Sequence, residues 1–440
     1  MTAQPDETSP EGRPEVVILG AGFGGLAAAK ALAKAPVHIT IIDRQNHHLF
    51  QPLLYQVATA GVSPADVAVP IRSLFRKQAN TTILMDTVVG IDTEAQTVQG
   101  HRAEHRYDYL IVATGSEYSY FGHDDWRPHA PSLKSLKNAL DIREKVLLSF
   151  EYAETALDEA ERKRLMTFVI VGGGATGVEL AGALAELAKK ALARDFRHID
   201  PSEAEIVLLE AGPSVLHGFP ESLTDFAERS LTKLGVTVRL NSPVESVDAD
   251  GVTLADGQVI GSTNVLWAAG TRAPNVRDWL GAEADRQGRI KVGGSLTVPG
   301  HNTVFVIGDA ACFAQEGGKP LPAVAPVAKQ QGIYAAKAIA RKIAGAQAHA
   351  PFRYRDAGML ATIGRHAAVA NLHRFKMKGW FAWMFWGLIH IYFLIGARNR
   401  MMVFLNWVWA YFTYGLGARL ITRSRVSPAE KEPEKNRPAA

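Results

Sequence analysis

Residues 14–32, PEVVILGAGFGGLAAAKAL, join a short apolar run to an alanine-rich helical stretch through closely spaced glycines. Gly20, Gly22 and Gly25 fill the G-x-G-x-x-G spacing. The first permits a tight turn, the second lets backbone approach a pyrophosphate, and the third lets the helix pack on the strand. The N-terminus of that helix offers free N–H groups and a partial positive charge to phosphate. Asp43, closing the next apolar run VHITIIDR, is the acidic residue expected on a ribose hydroxyl. Glycines alone are a weak signal. Strand, glycines, helix, strand and Asp in that order commit the segment to a βαβ unit that binds a dinucleotide.

The pattern returns at residues 167–184, TFVIVGGGATGVELAGAL, with Gly172, Gly174 and Gly177; the following strand, EIVLLEAGP, reaches Glu210. A chain seldom needs two such cradles unless two dinucleotides must meet. A carboxylate at the ribose position accepts from a free 2′-OH and repels a 2′-phosphate, so FAD and NADH fit and NADPH fits poorly. HRYDYLIVATGS runs into Ala113-Thr114-Gly115, small enough to let a cofactor pass close to backbone. NTVFVIGDAA ends in Gly308-Asp309, where the Asp either caps a helix or bonds the ribityl chain of a flavin; the accompanying motifs favour the flavin. WAAGTRAPN, with Ala269 and Gly270, closes the second unit in the way ATGS closes part of the first.

At 440 residues the chain has room for two domains and a smaller element. Its net charge of +4, without a Lys/Arg-rich run, argues against a nucleic-acid partner and suits an anionic lipid surface. No basic-then-apolar leader precedes Val16, so a cytoplasmic N-terminus is expected. The single cysteine, Cys312, leaves no disulfide framework, zinc cluster, iron–sulfur centre or redox dithiol. His47, His48 and His366 lack metal-ligand spacing and read as surface or core residues; no metal is expected.

These motifs, with HHLFQPLLYQVATAGV (47–62), VIVGGGATGVELAGALAE (169–186), LPAVAPVAKQQGIYAAKAI (321–339), YRDAGMLATIGRHAAVA (354–370) and GARNR with FTYGLGARLIT, resemble the type II NADH:quinone oxidoreductases, single-chain members of the two-dinucleotide-binding flavoproteins. The resemblance implies an α/β fold of two Rossmann-like domains with C-terminal membrane-associating helices. The FAD domain would take residues 14–125 and 290–360, interrupted by an NADH domain at 126–289. A membrane-anchoring region at 361–425 would follow, with tails at 1–13 and 426–440. It implies that Gly20, Ala21, Gly22, Phe23 and Gly24 cradle the FAD pyrophosphate, that Asp43 and Arg44 sit at the adenosine end, and that Val88 lies beside the adenine. Asp309 would hold the ribityl chain, and Ala325 and Pro326 would approach the isoalloxazine. Many relatives carry Gln where this chain has Pro326; Gln330 matches the family's second glutamine, near the quinone. A homodimer is allowed. The lone cysteine separates the chain from thioredoxin-reductase, glutathione-reductase and sulfide:quinone oxidoreductase types, which need more.

Glu179 is the candidate catalytic residue. It follows Gly177 by two positions and is expected in the first turn of its helix, where the helix N-terminus would stabilise a carboxylate. The resemblance adds a second role, positioning NADH and relaying a proton to quinone. Residues 379–396 contain no Asp, Glu, Lys or Arg, and five of the eight tryptophans lie between Trp380 and Trp409. With the apolar run 401–417 they form a buried core, a spanning hairpin turning at 397–400, or helices lying in a lipid interface with Lys376, Lys378, Arg398, Arg400, Arg419, Arg423 and Arg425 among head groups. The interface is favoured, on the cytoplasmic face of the cell membrane. Two other functions compete: a soluble FAD-dependent reductase serving a ferredoxin-like protein, and a non-catalytic NAD(H)-sensing scaffold.

Overall fold

A computed structural model of the chain describes residues 12–315, 318–347, 349–413 and 415–422. The expected tails, apart from residues 12 and 13, lie outside these residues, as do Arg423 and Arg425.

Two parallel sheets organise the chain. The first runs Thr297–Val298, His301–Val306, Tyr109–Val112, Glu15–Leu19, His38–Asp43, Thr81–Met85, with one antiparallel pair at the Thr297–Val298 edge. The second runs Val236–Arg239, Glu205–Leu209, Thr167–Val171, Asn264–Trp267, parallel throughout. In both, the strand that enters the glycine turn is flanked by the strand leading to the carboxylate and by the strand leading to the small tripeptide. Leu19 lies opposite Ile42 and Val112, and Val171 opposite Leu209 and Trp267. Strands covered on both faces read as continuous apolar runs, and Thr167–Val171 is buried at every position.

His301–Val306 joins the first sheet after the second sheet is complete, so the second unit is inserted into the first. The crossings are tied together: Glu117–Tyr118 pairs with Thr271–Arg272, and Arg272 Nε donates to Glu117 Oε1 at 2.9 Å. Helix Ala325–Ile343 lies against helix Phe23–Ala31 so closely that a Cβ on Gly332 would stand 2.2 Å from the Gly24 oxygen.

The C-terminal region is an antiparallel sheet, Met359–Thr362, Ala368–Leu372 and Phe375–Gly379, followed by helices Trp380–Phe393 and Ala397–Thr413. Its first strand crosses the boundary expected between residues 360 and 361. The chain reverses at residues 394–396, with Gly396 at φ +93°, and residues 397–400 form a helical turn instead of the expected hairpin spacer. Arg400 Nε donates to the Leu394 oxygen at 2.8 Å, and Arg398 stands 3.8 Å from the buried Asp66. The protein therefore engages both arginines.

Among the described residues no helix is long and apolar enough to cross a membrane. The two helices extend about 21 and 26 Å, against a hydrocarbon core of about 30 Å. Ala382, Trp386, Val403 and Ala410 are buried, whereas Phe381, Leu388, Tyr392, Phe404, Trp409 and Phe412 are all more than half exposed. The pair has one face in the protein and one large apolar face outside it.

Candidate active site

The two cradles share one construction. Gly20 sits at φ +97° and Gly172 at φ +111°; a Cβ would fall 2.5 Å from the Ala113 oxygen and 2.8 Å from the Ala268 carbonyl carbon. A Cβ on Gly25 or Gly177 would strike the oxygen of Gly20 or Gly172 at 1.9 and 1.8 Å. Gly22 and Gly174 are different: nothing lies within 4 Å of the Cβ either would carry. That open space lies over the N-termini of Phe23–Ala31 and Ala175–Glu186, neither capped by a side chain, so their first N–H groups face it unpaired by a cap.

The carboxylates that close the neighbouring strands match as well. Asp43 accepts from the amides of Ala21 and Gln45, both at 2.7 Å; Glu210 accepts from Gly173 at 2.6 Å and Gly212 at 2.7 Å. Each carboxylate stiffens its glycine turn and keeps lone pairs for a sugar hydroxyl. Burial pushes the Asp43 carboxyl up, opposed by those two amides. Arg44 is exposed beside it. Val88 opens the strand Val88–Asp92, reached through the Asp86 amide on the Asp43 oxygen at 3.1 Å.

Ala113, Thr114 and Gly115 follow the strand beside the first cradle, and the Thr114 hydroxyl is buried with no hydrogen-bond partner. A buried orphan of this kind is rare and marks a missing polar partner. Asp309 is no helix cap: its Oδ2 accepts from the Ser116 hydroxyl at 2.7 Å, with Lys134 Nζ at 3.6 Å. Ala325 and Pro326 open helix Ala325–Ile343, which also lacks a side-chain cap; a proline in the first turn forfeits an N–H that would be unpaired anyway. The open cradle, the orphaned hydroxyl and the uncapped helix ends fit a bound FAD. At the second cradle, Ala269 and Gly270 follow strand Asn264–Trp267, and the ring of Phe121 lies where a Gly270 Cβ would be.

Glu179 does not sit in the first turn. The helix starts at Ala175, which puts Glu179 fifth, and its Oε1 accepts from the Thr362 amide at 3.4 Å. The helix N-terminus is therefore not its main partner. Its carboxyl is crowded by protein, and that burial pushes its pKa up to about 8 despite the Thr362 amide. Tyr55 and Tyr118 are both buried and within electrostatic reach of it.

Gln330 is held by backbone: its amide donates to the Arg355 oxygen at 2.9 Å and accepts from the Arg355 amide at 3.0 Å. Its neighbour Gln331, not singled out in the sequence, is 1% exposed and accepts from the Gly308 amide at 2.6 Å, bracing the turn before Asp309. The signal was available, because Gln331 shares the helical phase of the buried Val327, Ala335 and Ala338. His48 is a core residue donating from Nδ1 to the Ala21 oxygen at 2.9 Å, its pKa pushed down to about 4 by burial, and His366 is exposed against Tyr411. Cys312 is partly buried in a two-residue strand.

The sequence model of the pyridine nucleotide-disulphide oxidoreductases matches residues 14–332, and that of the NDH2 C-terminal domain matches residues 357–414. The solved structure of NDH2 from Plasmodium falciparum in complex with NADH superposes with a TM-score of 0.83 at 21% identity, covering 93% of this chain and 100% of that one. The sulfide:quinone oxidoreductase of Aquifex aeolicus follows at a TM-score of 0.71 and 20% identity, over 93% and 96% of the two chains. At those identities the likeness is one of fold. Sequence goes further: the type II NADH:quinone oxidoreductase Ndh of Mycobacterium tuberculosis is 42% identical over 437 residues, 96% of this chain and 93% of its own. With that identity over nearly the whole length of both chains, the chain belongs to the type II NADH:quinone oxidoreductases.

Proposed function

We propose that the protein passes electrons from NADH to a membrane quinone in a respiratory chain, with FAD in the first cradle and NADH in the second. The observation that carries this reading is the repetition of one cradle geometry in two interlocked units, with a crowded, part-buried carboxyl, Glu179, on the helix that opens the second. FAD supplies a two-electron carrier between nucleotide and quinone. The chain supplies the rest. Gly22 and Gly174 would leave room for the two pyrophosphates, Asp43 and Glu210 would take the riboses, the Thr114 hydroxyl would gain a partner in the bound flavin cofactor, and Asp309 would hold its ribityl chain.

Proton balance gives Glu179 its role. NADH releases two electrons and one proton, and a quinol takes two of each, so one more proton is drawn from water in every turnover. A carboxyl with a pKa of about 8 is largely protonated at neutral pH and can release that proton locally. The exposed faces of helices Trp380–Phe393 and Ala397–Thr413 favour a lipid-dissolved acceptor over a soluble iron–sulfur protein and support peripheral attachment to a membrane, which we assign to its cytoplasmic face.

The experiment is direct. Purified protein should be yellow, bleach with NADH under anaerobic conditions, and regain colour on adding ubiquinone or menaquinone. Reoxidation by a ferredoxin but by neither quinone would reject the reading.

A further inference from the structure

Hydrogen-bond donors run in one direction from the terminal helix to Tyr55, whose helix packs on the helix that carries Glu179. Trp407, on helix Ala397–Thr413, donates its indole N–H to Gln56 Oε1 at 2.7 Å. An indole nitrogen cannot accept, so the Gln56 amide is fixed with its oxygen toward Trp407 and its nitrogen toward Tyr55. Gln56 Nε2 then donates to the Tyr55 hydroxyl at 2.9 Å. That oxygen accepts, which leaves the phenol proton free to donate elsewhere. Tyr55 is 6% exposed, its helix Leu54–Ala58 packs on the helix that carries Glu179, and the Glu179 charge acts on its phenol.

We propose that Trp407, acting through Gln56, is a positioning residue that aims the Tyr55 hydroxyl at the Glu179 carboxyl, so that seating of the apolar terminal helix governs proton delivery in the active site. The inference rests on the role given to Glu179 above. Other groups face the same carboxyl. Tyr118 approaches from strand Glu117–Tyr118, with Thr176 as its hydrogen-bond partner, and the Thr362 amide approaches from strand Met359–Thr362. Further along the same helix, Glu186 accepts from the Arg365 amide at 2.6 Å and pairs with its guanidinium, which also donates to the Ala410 oxygen on the terminal helix. That second tether anchors the helix without touching Glu179.

The one-way order makes the link testable. Without the indole donor the Gln56 amide is free to turn over and offer its oxygen to Tyr55. The phenol then donates to Gln56, so its O–H dipole no longer faces the Glu179 carboxylate or favours the charged form, and that pKa rises further.

The test uses the FAD-loaded, full-length protein with NADH and a short-chain quinone. Trp407→Phe should keep FAD and the anaerobic rate of flavin reduction. It should move the alkaline limb of the pH profile for quinone turnover upward by about one unit. Tyr55→Phe should give the same shift, and the double variant no more than either alone. If Trp407→Phe loses FAD, Gln56→Met carries the same expectation. A lower Tm with an unmoved pH profile, or shifts that add in the double variant, overturns the inference. A wild-type protein that cannot pass electrons from NADH to quinone defeats the underlying reading instead, before any variant is compared.

Discussion

Glu179 bears on stability as well as turnover. Its folded pKa of about 8 lies above the ordinary 4.5. A raised acid is most favourable to folding below its unfolded pKa, and that contribution is lost as pH climbs from about 4.5 through 8. At pH 7 the cost is of order 3 kcal/mol. Glu179→Gln should therefore melt increasingly above wild type as pH rises from 5 to 9, the gap levelling beyond about pH 8. Parallel melting curves would reject the burial assignment. The same variant should keep FAD and lose about ten-fold in quinone turnover, less than the ~10²–10⁴ of an obligatory acid. Glu210 tests the second cradle. Glu210→Gln leaves one acceptor oxygen for the Gly173 and Gly212 amides together, so NADH affinity should fall about ten-fold while discrimination against NADPH relaxes. Equal use of both nucleotides by wild type would undo that assignment. Residues of this kind are legible when one steric or electrostatic demand selects them, as at Gly20 and Gly172. Gln330 and Gln331 were harder to separate, because helix phase decides which of two adjacent glutamines faces Gly308.

At the scale of elements, the two C-terminal helices are apolar on nearly every side, and composition alone could not divide the inner face from the outer. The division comes from packing. Trp386 meets Trp407 at 5.3 Å and Phe50 approaches His390 at 6.2 Å, while Phe381 and Phe412 stand 72% and 77% exposed. The turn was misplaced for a related reason. Residues 397–400 look like a polar spacer, yet Arg398 and Arg400 find partners in Asp66 and the Leu394 carbonyl, so the helix begins there. Cutting the chain after His373 would remove core residues along with the outer face and cannot isolate a lipid contact. Phe381→Ser with Phe412→Ser should instead leave FAD content and melting temperature nearly unchanged while shifting the protein from vesicles of anionic lipid to the supernatant. Sedimentation with such vesicles measures it, and undiminished pelleting would show that these rings are not the contact.

For the whole molecule, the apparent three-part division conceals a shared interior. One buried cluster runs from Leu53, Leu54 and Val57 in the first unit, through Phe150, Phe168, Val178 and Leu208 in the second, to Ala361, Val369, Trp386 and Val403 in the C-terminal region. The order of the cradles was legible because each βαβ unit is local in sequence. The shared core was not, because its contacts join segments hundreds of residues apart and no periodicity records a partner. Trp407 and Gln56 are an example. A shared interior has a thermodynamic consequence: the C-terminal region should not melt independently of the second unit. Trp386 is 2% exposed within the cluster, and Trp386→Ala should cost about 3–5 kcal/mol through lost burial and the cavity left behind. If the core is continuous, that cost appears as a fall in the main calorimetric transition, accompanied by weaker NADH binding, although Trp386 lies outside both cradles. A separate early transition for the variant, with the main peak and NADH affinity unmoved, would show instead that the C-terminal region folds on its own and merely leans on the rest.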